Sequence, residues 1–397
     1  MAGPLAGVRI LDFTTLTAGG EATGYLCDLG AAVIKVEPHG GEVGRRLSRL
    51  PSGESAFFLP QNRGKRSIVI DLKQAEGRDL ALRLGASCDA VVHNFRVGAI
   101  ERLGLGYEDF RALKPDIIYA ECSGYGPLGP DAELESVDIL GQARSGAMSV
   151  TGDDYPTPAG YIITDFSAAM QLAIGLLSAL VWRMRTGEGQ KVQTSMLGAM
   201  VTAQGWELTH YLVTGEEPAP GGRGHHLFAR GVWGVYETAD GHIVLSGLDP
   251  GMLEALASEL GAEGLRRFAG LEAAERARLW REVIAELRQA FRCHPTQWLY
   301  ETLLRLGVRC APAQNYSQVA RDPQVIANNY IVEIDHPRLG RTRMTGNPQR
   351  FSATPIELAT TAPGVGEHTR EVAREAGLSE QEIAALIERK VIAGEDT

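Results

Sequence analysis

The chain has 397 residues, of which 44% are hydrophobic and 22% charged, a composition typical of a soluble globular protein of about two domains. Its formal net charge of −10 argues against a nucleic-acid partner, because such binding depends on Lys and Arg neutralising phosphates. The five cysteines, Cys27, Cys88, Cys122, Cys293 and Cys310, form no CxxC pair, so we expect reduced thiols and no metal site.

The first residues run directly into an apolar segment without a basic region, so they lack the pattern of a signal peptide. The longest apolar stretch, about Ala168 to Trp182, is short and interrupted in comparison with a membrane span. We therefore expect a cytoplasmic protein without a membrane partner.

Strands and helices alternate along the first 130 residues. In chain order we expect a strand over Val8–Phe13, a helix over Gly20–Leu29, strands over Ala32–Val36 and Ser67–Leu72, a helix over 75–85, a strand over Ala90–Val92, a helix over 107–113 and a strand over Ile117–Ala120. This alternation predicts an α/β fold with a parallel, doubly wound sheet. Further along, Gln142–Met148 and Phe166–Arg185 are expected to be helical, and Lys191–Met196 to add a strand.

A segment rich in Pro and Gly, residues 214–224, is interpreted as a linker between a large domain at 1–213 and a smaller α+β domain at 225–320. In the smaller domain, the alternation of apolar and polar residues over Val232–Leu245 predicts a β-hairpin that turns at Ala239-Asp240-Gly241. Helices are expected there at about 251–260, 273–291 and 296–306. The C-terminal segment, 321–397, is expected to hold short strands and helices at 367–376 and 379–389.

Asp165 stands at the start of the predicted helix Phe166–Arg185. A carboxylate in this position is typical of an N-cap, which accepts hydrogen bonds from the free N–H groups of a helix. The positive end of the helix dipole also stabilises the ionised form, and an ionised, partly desolvated carboxylate is a usable nucleophile. The local pattern therefore fits a cap, a nucleophile or both.

Two motif-like patterns carry little weight. Gly124–Gly129 has the spacing GxGxxG, but Pro127 and Pro130 stand where a nucleotide-binding helix would have to begin, so we expect a turn-rich loop. The pair His225-His226 has no further ligands nearby, and we expect no metal there.

Positive charge is concentrated between residues 45 and 66. The segment holds Arg45, Arg46, Arg49, Arg63, Lys65 and Arg66, with only Glu54 opposing them. In an acidic protein, such a cluster is typical either of a solvated basic face or of a site for a polyphosphate ligand. Asn94, Phe95 and Arg96 follow a predicted strand and are expected at the carboxyl edge of the sheet, where open α/β sheets bind ligands.

Short segments spread along nearly the whole chain share one resemblance. They are Gly7–Phe13, Leu29–Pro38, Asn62–Ser67, Asp71–Lys73, Asn94–Arg96, Arg102–Tyr107, Ser123–Gly126, Gln142–Gly146, Asp335–Pro337, Arg350–Pro355 and Gly366–Thr369. In this order they resemble the class III CoA-transferase family, which includes formyl-CoA transferases, carnitine CoA-transferases and α-methylacyl-CoA racemases. The resemblance implies a Rossmann-like large domain, a smaller α+β domain, a C-terminal segment that returns to the large domain, and an interlaced homodimer.

The resemblance also implies site residues. The catalytic Asp of the family falls on Asp165. The CoA site falls on Thr17, Ala18, Leu72, Lys73, Asn94, Phe95, Arg96 and Arg102, with Arg45 and Asp138 as further candidates. Coenzyme A is then a substrate, and neither a prosthetic group nor a metal is expected.

Racemases of the family carry a His at the position of Val137, followed by an Asp at the position of Asp138. Valine cannot exchange a proton with a substrate, and two-base racemisation needs a group on each face of the α-carbon. This difference favours CoA transfer over racemisation. The polyglycine loop of formyl-CoA transferases has no counterpart here, so formate and oxalate are not favoured as substrates.

We therefore expect acyl-CoA and a small carboxylic acid as ligands, with CoA transferred through covalent intermediates on Asp165. Three alternatives stay open: an acyl-CoA racemase or epimerase, a nicotinamide-dependent oxidoreductase, and a non-catalytic CoA-binding protein.

Overall fold

A computed structural model describes residues 3–152, 155–218, 226, 228, 231–359 and 361–394, without the side chains of residues 273, 274, 276 and 277. The described chain forms two compact units. Unit 1 contains residues 3–145, 160–205 and 323–394, and unit 2 contains most of the chain between them.

Unit 1 begins with alternating strands and helices. The strands are β1 (Arg9–Asp12), β2 (Ala32–Glu37), β3 (Arg66–Ile70), β4 (Ala90–His93), β5 (Ile118–Ser123) and β6 (Lys191–Ser195). The helices are α1 (Leu16–Asp28), α2 (Phe58–Asn62), α3 (Ala75–Ala86), α4 (Tyr107–Leu113), α5 (Asp138–Arg144), α6 (Ile163–Thr186) and α7 (Met196–Ala203). Short 3₁₀ turns lie at Val43–Arg46 and Glu101–Leu103.

Unit 2 includes residues 146–152 and 155–159, and its main part begins in α8 (Gly205–Thr214) and holds one small antiparallel sheet among helices. Its strands are β7 (Trp233–Glu237), β8 (His242–Ser246) and β9 (Cys310–Pro312), and its further helices are α9 (Leu253–Leu260), α10 (Arg266–Ala269), α11 (Ala273–Phe291), α12 (Thr296–Arg305) and α13 (Tyr316–Val319). The predicted hairpin is confirmed, since β7 pairs with β8 across the turn at 239–241. Tyr236, Leu256 and Leu287 lie in the buried core of this unit.

The C-terminal segment completes unit 1. It contains α14 (Pro323–Ala327), the hairpin strands β10 (Ile331–His336) and β11 (Gly340–Thr345), α15 (Thr369–Glu375), α16 (Glu380–Glu388) and β12 (Ile392–Ala393). Strand β12 pairs antiparallel with β3, so the end of the chain extends the main sheet. Val372 and Ile383 bury their side chains against that sheet.

The main sheet has the strand order β12-β3-β2-β1-β4-β5-β6 among the described residues. All neighbours from β3 to β6 are parallel, which confirms the predicted parallel, doubly wound arrangement. Successive residues of β1 enter different cores, because side chains alternate between the two faces of a strand. Leu11 packs with Leu84 and Phe110 of α3 and α4, whereas Ile10 belongs to a second core with Leu172 of α6.

Several predicted helix starts lie too late in the chain. Helix α1 begins at Leu16 instead of Gly20, α5 at Asp138 instead of Gln142, and α6 at Ile163 instead of Phe166. None of these helices has a side-chain cap on its own N-cap residue, so the usual sequence signal for a start is missing. Helices α2, α7 and α8 were not predicted either.

Helix α6 corrects the expectation about membrane spans. It is 24 residues long, and by length and composition alone it is apolar enough to cross a membrane. However, Ala169, Leu172 and Leu176 of this helix are buried in the protein core. A core helix of a soluble protein passes the same test, so the observation is weak evidence for a membrane span.

A fully buried ion pair connects the ends of the first elements. The Lys65 ammonium lies 3.0 Å from the Asp12 carboxylate, and neither side chain is exposed to solvent. Lys65 also donates hydrogen bonds to the Gly20 carbonyl, the Thr23 hydroxyl and the Asn62 amide oxygen. Burial alone would raise the pKa of Asp12, but the positive charges of Lys65 and Lys35, together with the hydrogen bonds from Thr14, outweigh it and lower the pKa.

Replacing Lys65 tests how strongly this contact supports the fold. We expect Lys65→Met to lower the free energy of unfolding by about 3–5 kcal/mol, because it removes the direct ion-pair partner of the buried Asp12 carboxylate. Arg66→Met is the matched control: Arg66 pairs with Glu371 and Glu375 near the surface, and its loss should cost less than about 1 kcal/mol. Urea denaturation at one protein concentration measures both changes. Equal losses would contradict this account.

Candidate active site

Asp165 lies in the first turn of α6, as its third residue, and is partly buried. The N-cap position is taken by Ile162, which provides no side-chain hydrogen bond. The interpretation of Asp165 as the N-cap is therefore wrong by three positions. A carboxylate in the first turn still lies at the positive end of the helix dipole.

The capping role belongs to Asp138, the first residue of α5. One oxygen of its carboxylate accepts a hydrogen bond of 2.7 Å from the Thr164 backbone N–H, and the other accepts one of 2.6 Å from the Gln142 amide. The Thr164 hydroxyl in turn donates to the Asp138 backbone carbonyl at 2.9 Å. These contacts tie the start of α5 to the start of α6 and place two carboxylates close together.

The surroundings of Asp165 make its ionised form less stable than usual. Burial is the largest influence, and the negative charge of Asp138 adds to it, while a hydrogen bond from the Ala18 backbone N–H acts in the opposite direction. The net effect raises the pKa of Asp165 to about 6. Cys122 of β5 lies in the same environment: burial, with the charge of Asp165 second, raises the pKa of its thiol to about 12. Cys122 is therefore an unreactive thiol beside a carboxylate that titrates close to neutrality.

The turn from β1 into α1 faces Asp165 and is built from backbone groups held by side chains. Asn94, directly after β4, accepts a hydrogen bond of 2.9 Å from the Thr15 N–H and donates one of 2.7 Å to the Thr15 carbonyl. Thr17 and Ala18 follow in the first turn of α1 and are buried. The predicted residues Thr17, Ala18 and Asn94 therefore lie at one edge of the sheet, together with Asp165.

Other predicted CoA-binding residues follow the carboxyl ends of neighbouring parallel strands. Leu72 and Lys73 come after β3, where Lys73 is exposed and Leu72 packs partly buried against the core. Phe95 and Arg96 come after β4; Phe95 packs against the same core, and Arg96 forms an exposed ion pair with Glu135. Arg102 lies exposed in the 3₁₀ turn that precedes α4. The sheet thus brings its strand-end candidates to a common edge, as the parallel topology requires.

The basic segment is not the open cationic face that its sequence suggests. Arg63 pairs with Asp28 at 2.6 Å, Lys65 with Asp12, and Arg66 with Glu371 and Glu375. Arg45 is held by Glu37, which accepts hydrogen bonds of 2.7 and 2.6 Å, and by the Pro363 carbonyl at 2.9 Å. Glu54 is the only acid within the segment, but the acids that pair with these four cations come from outside it. Within the described part of the chain, Arg46 and Arg49 are the members of the segment without a carboxylate partner, and they line a pocket of about 350 Å³.

The two motif-like patterns can now be placed in the described structure. Gly124–Gly129 forms a loop of turns and bends, as predicted, and the next helix begins only at Asp138. His225 lies outside the described residues, whereas His226 bonds to Glu207 at 2.9 Å. No group of three or more His, Cys, Asp or Glu side chains that could hold a metal ion is found among the described residues.

Comparison with known proteins identifies relatives along the whole chain. The profile of CoA-transferase family III matches residues 5–369. Succinyl-CoA:mesaconate CoA-transferase of Haloarcula marismortui is 34% identical over 95% of this chain and 97% of that protein. Human succinyl-CoA:glutarate CoA-transferase is 31% identical over 94% of this chain and 86% of that one. The crystal structure of a CAIB/BAIF family protein from Brucella suis has a TM-score of 0.84 and 30% identity, covering 95% of this chain and 100% of that one. The predicted family is confirmed.

Replacing Asp165 with Asn tests the raised pKa without an activity assay. The folded protein holds the Asp165 proton up to a pH of about 6, whereas the carboxyl otherwise titrates near 3.8. Ionisation therefore weakens folding as the pH rises between these values. At pH 7.5 we expect Asp165→Asn to raise the free energy of unfolding by about 1–2 kcal/mol, reduced from the full pKa difference because Asp165 is partly solvated.

The gain should disappear near pH 4, where the wild-type carboxyl is also protonated. Urea unfolding at both pH values measures it. Asp79→Asn, at an exposed position of α3, is the control and should change little at either pH. A gain that is the same at both pH values would contradict the assignment.

Proposed function

We propose that this chain, which belongs to CoA-transferase family III, moves CoA from an acyl-CoA thioester to a carboxylic acid through covalent intermediates on Asp165. The observation that supports this most directly is the Asp165 carboxylate, which lies partly buried at a helix start with a pKa of about 6. At pH 7 roughly nine-tenths of such a carboxyl is ionised, so a nucleophile is available. Its partial desolvation makes that nucleophile more reactive than a carboxylate in water.

Acyl-CoA is proposed to bind at the carboxyl edge of the parallel sheet. The strand order β3-β2-β1-β4-β5-β6 is that of Rossmann-like sheets, in which ligands bind at this edge where the order reverses, here between β1 and β4. The candidates Lys73 and Arg102 are exposed there, and Arg46 and Arg49 have no carboxylate partner within the described residues. These four cations are the proposed partners of the CoA phosphates. Arg45 is less suited, because all three of its guanidinium nitrogens already donate to protein oxygens.

The proposed reaction has four steps. The Asp165 carboxylate attacks the thioester carbonyl and releases CoA thiolate, which leaves an anhydride between the acyl group and Asp165. The thiolate then attacks the Asp165 carbonyl, forming an aspartyl-CoA thioester and releasing the donor carboxylate. The acceptor carboxylate attacks this thioester and expels CoA thiolate again. Attack of that thiolate on the acceptor carbonyl of the second anhydride forms the product thioester and restores Asp165.

This route uses only carboxylates, a thiol and hydrogen-bond donors, so it needs no prosthetic group. Each attack creates an oxyanion next to Asp165, and the Ala18 backbone N–H is the donor that reaches this carboxyl group. Anhydrides hydrolyse readily, which makes exclusion of water necessary. The partial burial of Asp165 supports that requirement.

The acids exchanged are proposed to be dicarboxylates. Two relatives similar over nearly the whole chain are named for succinyl-CoA together with mesaconate or glutarate, all of which are dicarboxylic. Racemisation is disfavoured, because Val137 offers no acid–base group immediately before Asp138. Succinyl-CoA with a panel of dicarboxylate acceptors is therefore the assay of choice.

Intact mass spectrometry tests the mechanism. We expect an acyl or CoA adduct on the wild-type protein after incubation with succinyl-CoA, localised to Asp165 by peptide mapping, and no adduct on Asp165→Ala. Transfer activity should fall by at least about a thousandfold in that variant, the range seen when a covalent nucleophile is removed. Asp131→Ala is a control outside the site. Unchanged turnover in Asp165→Ala would refute the mechanism, and deuterium uptake at the substrate α-carbon without transfer would indicate a racemase.

We further propose that the protein is a homodimer. Helix α6 carries large apolar side chains that unit 1 leaves exposed, among them Ile174 at 56%, Val181 at 55% and Met184 at 83%. An exposed apolar stripe of this size on a long helix marks a protein interface. Covering by a second copy agrees with the interlaced dimers that the family resemblance implies.

Sedimentation velocity tests the dimer. The wild-type protein should sediment at about twice its chain mass of 42.8 kDa. Val181→Asp places a charge in the stripe and should shift the distribution towards monomer. Leu113→Asp is the matched control, since Leu113 is similarly exposed, at 56%, but lies at the end of α4. A monomeric wild-type protein would refute the proposal.

A further inference from the structure

The backbone is strained where α1 begins. Leu16, its first residue, has a φ of +57°, in the left-handed region that a leucine rarely adopts. A conformation of this kind is typically about 1–3 kcal/mol above the usual one and persists only where surrounding contacts hold it. Leu16 is two residues before Ala18, whose N–H reaches the Asp165 carboxylate. The strained residue therefore sets the direction of the helical turn that faces the nucleophile.

Three side chains from three different segments hold three consecutive residues of this turn. The Lys35 ammonium of β2 donates to the Thr14 carbonyl at 2.9 Å, and Asn94 holds both backbone groups of Thr15. The Leu16 N–H donates to the Glu42 carboxylate at 2.9 Å. These three side chains come from outside the turn and add to the local hydrogen bonds that Thr14 donates to the Asp12 carboxylate.

Glu42 is the least expected member of this group. Its side chain is almost completely buried, and its second carboxylate oxygen lies 3.8 Å from the Lys35 ammonium. Lys35 is also fully buried, and this pair lies beside the buried ion pair of Asp12 and Lys65. Burying a charged pair offers little net stability compared with apolar side chains of similar size. A role in positioning the backbone accounts for its presence.

We propose that Glu42 is a positioning residue for Asp165: it holds Leu16 in the left-handed conformation and thereby directs the Ala18 N–H at the carboxyl group of the nucleophile. Glu42 itself touches no reacting atom. The inference rests on the proposed role of Asp165 as the nucleophile. It assigns a function to a residue that neither a motif nor the charge pattern identifies.

Loss of the Glu42 contact should affect the chemical steps more than substrate binding. Without the hold on Leu16, the backbone relaxes to an ordinary φ, and the Ala18 N–H moves away from Asp165. The Asp165 carboxylate then loses the hydrogen bond that lowers its pKa, while burial and the Asp138 charge, which raise the pKa, remain. Its pKa rises further, and the oxyanion of each step loses a donor. Contacts to the nucleotide part of CoA stay as they are.

The test compares Glu42→Ala with Glu42→Gln, which keeps the acceptor for the Leu16 N–H but removes the charge. For Glu42→Ala we expect kcat to fall about tenfold or more, with KM for succinyl-CoA within about twofold. The acidic limb of the kcat profile should move to higher pH by about one unit, because the hydrogen bond being lost is made to a charged group. Glu42→Gln should restore most of kcat and the position of the limb.

Asp28→Asn provides the matched control. It breaks another buried ion pair, with Arg63, at the opposite end of the same helix α1. It should lower the thermal stability without moving the acidic limb. If Glu42→Ala lowers stability in the same way and leaves the limb in place, Glu42 is merely structural and the proposal is overturned. Should Glu42→Ala not fold, Glu42→Asp retracts the carboxylate by one methylene and should give a smaller shift in the same direction.

Adduct formation on the wild-type protein distinguishes failure of the covalent mechanism from failure of the positioning role of Glu42. If wild-type protein forms an Asp165 adduct but the limb of Glu42→Ala does not move, the positioning role falls and the covalent mechanism stands. If no adduct forms on the wild type, the covalent mechanism falls. The ¹³C carboxyl titration of Asp165 in wild type and Glu42→Ala then decides the positioning role by itself, since the titration does not depend on turnover.

Discussion

The buried ion pair between Lys65 and Asp12 is the contact on which the site depends. Asp12 ends β1, and Lys65 reaches it from the residue before β3 while also bonding to α1 and to the end of α2. Four segments therefore meet at one ammonium group. An apolar cluster of similar volume would stabilise the fold about as well, but it would not direct individual backbone groups. The direction matters here, because the chain leaves Asp12 to form the turn that faces Asp165.

Several unfavourable contributions to the free energy of folding occur together around Asp165. Burial and Asp138 disfavour its charge, and Leu16 holds a strained conformation a few residues from the Ala18 donor. Such combinations are tolerated where the surrounding structure fixes them, and they are concentrated at functional sites. Asp138 has both a favourable and an unfavourable effect. Its carboxylate caps α6 through Thr164, and its charge raises the pKa of the neighbouring Asp165.

The sheet, its parallel order and the strand-end candidates could be predicted because they depend on local apolar patterns. Asn94 follows a buried strand, and its place at the carboxyl edge follows from topology alone. The partners of the basic segment could not be predicted in this way. Asp28, Glu371 and Glu375 reach Arg63 and Arg66 only through tertiary packing. The same holds for Glu42 and Leu16: leucine carries no sequence signal for a positive φ, and the contact that imposes it spans 26 residues.

In the described part of the chain, the influences on the pKa of Asp165 include no positive charge. The influences on the pKa of Asp165 are burial, another carboxylate and a backbone N–H, and none of them is a Lys or Arg. A cation at this position would lower the pKa and hold the carboxylate ionised, but it would also make it a weaker nucleophile by drawing away its charge. A neutral N–H donor stabilises an oxyanion without that cost to the ground state, provided that it is held in place. In the proposed mechanism the positive charges buried under the turn, Lys35 and Lys65, therefore act on Asp165 only by fixing the backbone that carries the donor.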